Sequence, residues 1–293
     1  MSGKQVLTLS SLSSDPKPAA DWIHRSPHSG GTSGVERIEA FFQHAGYAMH
    51  RHDTYAIGRT LGGVQSFRYR GSTRNSLPGG TMVLHPDEPH DGQAGTRDGF
   101  HYRMIYVDPA LFQQALGGKP LPFIEGGISN DPRLFAATES LLRTMDCAID
   151  SLEQDDALYE LAVALDAVAG GAATRRPVDY VAAERAREYM LGSLGSLDSA
   201  VTLDELAAAA SRDRWSLSRD FRALFGTSPH RYLTMRRLDL VRRLAIQGVS
   251  LADASAAAGF TDQSHMTRHF KRAWGVAPAH WLKMLGPSTH GAR

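Results

Sequence analysis

The sequence predicts an α+β chain of more than one domain: a β-barrel or sandwich, a helical hairpin, and an all-α domain made of two helix-turn-helix modules. Three observations predict it. At 293 residues the chain exceeds the roughly 100–200 residues of a usual single domain. Near Asp131 its texture changes from short runs punctuated by Gly and Pro to segments rich in Leu and Ala. Beyond Tyr180 one pattern occurs twice. With 42% hydrophobic and 22% charged residues, the composition is that of a globular protein and excludes a disordered or fibrous chain.

Residues 1–34 are read as an N-terminal arm. Met1 to Asp21 is rich in Ser and lacks the apolar core and cleavage site of a secretory signal, so none is expected. In residues 35–130, β-rich runs at 55–61, 64–69, 81–84 and 100–107 alternate with turn residues, as antiparallel strands do. Leu134, Leu141, Leu142, Met145 and Ile149 then recur at helical spacing, and a second helical segment covers 158–168. An acidic turn at Asp155 and Asp156 would fold these into a hairpin over 131–170. Its stripe of Leu134, Leu141, Met145 and Ile149 suits dimerisation or, alternatively, capping of the barrel. The small-residue stretch within 171–179 reads as a linker.

The region 180–286 contains the repeat, and 287–293 reads as a tail. Val201-Thr202-Leu203-Asp204 opens one copy and Val249-Ser250-Leu251-Ala252 the other. Leu217 corresponds to Met266, Arg219 to Arg268 and Phe221 to Phe270; Gly226-Thr227-Ser228-Pro229 corresponds to Gly275-Val276-Ala277-Pro278. Two copies are too few for a solenoid, which leaves paired helix-turn-helix modules. Alanines at 207–210 and 256–258 suit close helix packing, and Asp213 or Thr261 would cap the second helix of each module. Glycine suits the position just past that helix, and proline the first turn of the next. A helix of about 19 residues joins the modules and spans roughly 28 Å, close to the roughly 34 Å between successive major-groove faces. It carries Arg231, Arg236, Arg237, Arg242 and Arg243, candidates for phosphate contacts.

Charge divides the same way. Residues 1–177 hold 16 Lys+Arg against 20 Asp+Glu, and residues 178–293 hold 16 against 11, so any attraction for a polyanion belongs to the C-terminal part. No run is long and apolar enough to span a membrane. The single cysteine, Cys147, fits a reducing compartment, and a cytoplasmic location is expected.

The second module, Ala258-Gly259-Phe260-Thr261-Asp262-Gln263-Ser264-His265-Met266-Thr267-Arg268-His269-Phe270-Lys271-Arg272, followed by Trp274-Gly275-Val276-Ala277-Pro278, resembles the DNA-binding domain of the AraC/XylS family of bacterial transcription regulators. The resemblance covers about 183–285. The first turn, Ser211-Arg212-Asp213-Arg214-Trp215, is more charged than the family pattern. The resemblance implies that the second helix of each module enters the major groove. Trp215, Ser218 and Arg219 share one face of the first such helix, and Gln263, Ser264, Thr267 and Arg268 share the corresponding face of the second. These seven are the base-reading candidates: arginine pairs with guanine, glutamine with adenine, and tryptophan meets a thymine methyl.

Residues 50–58, 77–86 and 90–91, with His50, His52, His85 and His90, resemble the cupin-like sensor domain common in that family. The implied small-molecule effector would meet His50, His52, Tyr55, His90 and Tyr102, with Phe67, Tyr69 and Met104 as further walls. The same histidines resemble the ligands of metal-binding cupin enzymes, so the alternative is a metal-dependent enzyme fused to a DNA-binding domain. Against it, Ala56, Ile57 and Gly58 stand where such enzymes carry a glutamate. No cofactor, metal or catalytic residue is assigned. The partners expected are duplex operator DNA, an effector and a second copy of the chain, with RNA polymerase a further candidate.

Overall fold

A computed structural model describes residues 21–27, 34–170, 177–194 and 201–285. Among the described residues, ten strands form two antiparallel sheets. The larger has the order β1 (Trp22–Arg25), β2 (Val35–Phe42), β9 (Phe100–Val107), β4 (Tyr55–Gly63), β7 (Thr81–Leu84), β10 (Ile128–Ser129); the smaller has the order β3 (Ala45–His50), β8 (His90–Ala94), β5 (Gln65–Tyr69), β6 (Ser72–Ser76). β1 lies within the segment read as an arm and pairs with β2 as an edge strand.

Strand alternation assigns the two faces of the large sheet. Ala56, Phe100, Tyr102 and Met104 point inward and pack with Phe42, Phe67 and Tyr69 between the sheets. Tyr55, Ile57, Ile105 and Val107 point outward, onto helices α1 (Pro109–Leu116), α2 (Pro132–Leu142) and α3 (Ser151–Val168). Leu134, Leu141 and Met145 are buried against that outer face and Ile149 is partly buried there, so the stripe covers the barrel and is not free to dimerise. The hairpin turn also differs from expectation. Asp155 and Asp156 lie inside α3, and the chain reverses over 143–150, where Asp150 caps α3 by accepting from the Leu152 N–H. Buried Arg37 holds this connection by donating to the carbonyls of Leu141, Thr144 and Cys147 at 3.2, 2.7 and 2.8 Å.

The C-terminal domain comprises α4 (Tyr180–Gly192), α5 (Leu203–Ala210), α6 (Arg214–Phe225), α7 (Pro229–Ile246), α8 (Leu251–Ala257), α9 (Gln263–Trp274) and α10 (Pro278–Met284). α7 belongs to two cores. Tyr232 and Leu233 pack with Leu206, Leu217, Phe221 and Phe225 of the first module, and Met235, Leu238 and Val241 pack with Ala254, Met266, Phe270 and Trp281 of the second. Of the alanines at 207–210 and 256–258, Ala210 and Ala258 are the fully buried ones. Gly226 and Gly275 end α6 and α9 with φ of 72° and 71°, a conformation that costs glycine little. Asp213 caps α6. On α9 the cap is Asp262, one residue beyond the expected Thr261, accepting from the His265 N–H at 2.6 Å.

Candidate functional site

The DNA-facing candidates lie on α6 and α9. Trp215 is 68% exposed, although a tryptophan of this size is normally among the better buried side chains. Arg219 is exposed and Ser218 half-buried; Gln263, Ser264 and Arg268 are exposed and Thr267 half-buried. The opposite faces, Leu217 with Phe221 and Met266 with Phe270, are buried. Each helix therefore presents its polar face to solvent from a rigid apolar seat, and the capped N-terminus adds a favourable dipole toward phosphate.

The face of α7 that meets the barrel behaves differently. Arg236 donates through Nη1 to Asp108 Oδ2 at 2.7 Å and through Nη2 to both oxygens of Asp53 at 3.1 and 3.0 Å, with Asp239 Oδ2 at 3.2 Å. Arg242 donates to Glu36 at 2.6 and 2.8 Å, and its guanidinium lies over the rings of Trp274 and Trp281. Arg231 stands 2.6 Å from Asp87. Arg231, Arg236 and Arg242 are thus corrected from phosphate contacts to interdomain pairs, because each meets at least one acid of the barrel. Of these five arginines, Arg243 alone is exposed. Backbone bonds from Arg51 N–H to the Arg272 carbonyl at 3.0 Å, and from Leu121 N–H to the Ala223 carbonyl at 3.1 Å, complete the seam.

The carboxylates along this seam are not equivalent. Burial pushes Asp53 up to about 7 against the pull of Arg236, and Asp239 and Asp108 add repulsion. Burial would likewise raise Glu36, but Arg242 and Arg25 together hold it at about 2. Three carboxylates around the Arg236 guanidinium leave that cluster over-supplied with negative charge, while Glu36 is shared between two cations.

Along the seam runs a cleft of about 900 Å³, with walls from both halves that include Ile23, Ile38, Tyr47, Tyr106, Trp274 and Trp281. Of the expected effector residues, His50 and His52 line it. Tyr55 does not: it lies on the outward side of β4, packs on Phe112 and donates to the Pro122 carbonyl at 2.7 Å. Tyr102, Phe67, Tyr69 and Met104 fill the space between the sheets. Tyr102 donates to the Tyr47 hydroxyl at 3.1 Å. Sequence reasoning missed Tyr47, Tyr106, Trp274 and Trp281. Trp274 ends α9 and Trp281 lies in α10, and this position at the close of the second module is the one signal that could have marked them.

His90 stands against His50 and His52, with ring centroids 4.3 and 4.9 Å away. Burial and the neighbouring imidazoles hold His50 and His52 well below the ordinary histidine range, and burial holds His90 at about 4. His85 is separate. Its Nδ1 bonds the Tyr69 hydroxyl, and its Nε2 accepts from the Ile124 N–H at 2.8 Å, so it is a satisfied structural histidine.

Residues 32–162 match the family model of the AraC-like ligand binding domain, and residues 206–284 match that of a helix-turn-helix domain. The HTH-type transcriptional regulator YbfI of Bacillus subtilis is 26% identical over 230 residues, 75% of this chain and 81% of that protein. The transcriptional activator NphR of a Rhodococcus species is 37% identical over 87 residues, 29% of this chain and 26% of NphR. Among solved structures, ToxT of Vibrio cholerae has the same fold, with a TM-score of 0.59 at 12% identity, covering 91% of this chain and 97% of ToxT. ToxT bound to an unsaturated fatty acid gives a TM-score of 0.56 at 11% identity, covering 95% of this chain and 99% of that one. Among the described residues no helix is long and apolar enough to cross a membrane. With a ligand-binding domain ahead of paired helix-turn-helix modules, the chain belongs to the AraC family of transcription regulators.

Proposed function

We propose that this regulator binds its operator through α6 and α9 and is controlled by a small organic effector held in the cleft along the interdomain seam. The observation that carries this placement is that the cleft takes walls from both halves. A ligand there changes the free energy of holding the DNA-binding domain against the barrel, which is the differential contact that an allosteric shift requires. The chemistry suggests an effector with an apolar body and an acidic group. Flat aromatic walls meet Arg242, whose charge is spent on Glu36, and an incoming carboxylate could take the place of Glu36. ToxT, which shares the fold, has been solved with an unsaturated fatty acid. DNA reading by paired helices carries the functional assignment, and no catalysis is invoked; the cell compartment that fits is the cytoplasm.

The test uses the full chain. Duplexes selected from a random library supply a binding site, and aliphatic and aromatic carboxylic acids are then titrated while melting temperature and DNA affinity are read. At least one acid should raise the melting temperature by mass action and change DNA affinity several-fold, and Tyr106→Ala should abolish both responses. An acid that stabilises the protein equally in the Tyr106→Ala variant would place the effector elsewhere.

Dimerisation, if it runs through the hairpin, has a different surface from the stripe expected. Leu152, Tyr159 and Val163 are exposed on α3 at i, i+7 and i+11, one face of the helix. A second copy would pair there. Tyr159→Glu with Val163→Glu should convert a dimer to a monomer in sedimentation velocity, and a wild-type monomer at tens of micromolar would dismiss the proposal.

A further inference from the structure

His50 closes β3, His52 follows in the turn to β4, and His90 opens β8 directly opposite His50 in the antiparallel register. All three are buried, and one ring nitrogen of each lies within 4.8 Å of the other two. Their Nδ1 atoms are all engaged alike, with the backbone carbonyls of Ala48, Thr54 and Glu88 at 2.8, 2.9 and 2.9 Å. A carbonyl only accepts, so each Nδ1 carries the proton and each Nε2 keeps a lone pair. Among the described residues no donor reaches these three Nε2 atoms. His85 in the same domain shows what a structural histidine looks like, with partners on both nitrogens.

Three imidazoles that converge beside the cleft, each with its Nδ1 already engaged, make a donor set that suits one cation. A single water can donate to only two of them. One cation takes all three. A backbone carbonyl on the far ring nitrogen is also the arrangement that fixes the tautomer and orientation of a metal-ligating imidazole.

We propose that His50, His52 and His90 hold one divalent transition-metal ion of the zinc and cobalt kind through their Nε2 atoms. Bonds of about 2.0–2.1 Å in tetrahedral geometry place ligand nitrogens about 3.4 Å apart, which a small inward tilt of the rings reaches. Three neutral imidazoles suit zinc, cobalt or nickel over magnesium or calcium. The neighbouring carboxylate, Asp53, has both oxygens on Arg236, so the ion keeps its full charge. His50 and His52 also line the cleft, and the fourth position opens there to water or to an acidic donor. The ligand strand touches the end of α9: Arg51 N–H bonds the Arg272 carbonyl, and a Cβ on Gly275 would come within 2.5 Å of the Ala48 carbonyl. Occupancy therefore bears on the strand that carries the second DNA-reading helix.

The probe is Co²⁺ added to the chelator-treated full chain, with Zn²⁺ as competitor. One equivalent should bind with the intense visible absorption of a tetrahedral site, displaced stoichiometrically by Zn²⁺ and accompanied by a higher melting temperature. His52→Ala and His90→Gln should each weaken Co²⁺ binding at least 100-fold, while His44→Ala, an exposed histidine outside the cluster, should leave it unchanged. Absence of one-to-one binding by the wild-type chain overturns the proposal whether or not the variants fold. So does unchanged Co²⁺ affinity in folded His52→Ala or His90→Gln. Because the readout is the metal alone, it succeeds or fails independently of the organic effector.

Discussion

Arg236→Ala should destabilise the full chain by about 3–5 kcal/mol, the cost of leaving buried carboxylates without their cation. Arg236 contacts Asp53 and Asp108 of the barrel and Asp239 of its own helix, and Asp53 is only 2% exposed. With the guanidinium gone, two escapes exist: Asp53 takes up a proton, which its raised pKa of about 7 already favours, or the halves part and water reaches all three acids. Both relieve the cost at the expense of the seam. Adding Asp53→Asn to Arg236→Ala removes one stranded charge in a nearly isosteric way and should recover a large part of the loss, a coupling that a double-mutant cycle measures. Denaturant unfolding read by fluorescence checks both variants. An Arg236→Ala protein of wild-type stability that binds all DNA more weakly would return this arginine to the phosphate contacts.

Why that role was not legible in the sequence is a matter of separation. Arg236 and Asp53 lie 183 positions apart, and no local pattern couples a helix arginine to a barrel turn. Five arginines on one helix read equally well as a phosphate surface, and only the packing of α7 on the barrel divides them. The helix-turn-helix repeat was legible because its information is local: apolar positions at helical spacing, a cap, and a glycine and proline at fixed offsets. Even there the second cap lies one residue beyond the expected Thr261, since Thr261 and Asp262 are both competent caps and chain direction decides between them. Tyr55 failed by phase. Strand alternation says that neighbours face opposite ways without saying which way is in, and on β4 the small Ala56 and Gly58 face the barrel interior while Tyr55 faces the helices. The stripe at 134–149 marked a buried face correctly as apolar, and what buries it is a sheet whose outer side is itself apolar.

Arg219→Ala and Arg268→Ala should each cost about 1–3 kcal/mol on the preferred operator, roughly 5- to 150-fold in affinity, and each should relax sequence preference at one position. Both side chains are exposed on the solvent face of a reading helix. In the free protein the Arg219 guanidinium bonds Ser216 Oγ at 2.9 Å and lies 3.8 Å from Asp220, contacts weak enough at an exposed site to be exchanged for a guanine. The bidentate geometry to guanine O6 and N7 is what makes the loss specific, because alanine leaves base acceptors unpaired on the right sequence and nothing comparable on a random one. Arg243, exposed on α7, provides the contrast: its replacement by alanine should weaken all duplexes alike and reduce the salt slope of binding by about 1. Fluorescence anisotropy on operator and scrambled duplexes over a salt series separates the two behaviours. Equal losses on both duplexes for Arg219→Ala and Arg268→Ala would move these residues from base reading to phosphate contact and leave specificity to Trp215, Gln263 and their neighbours.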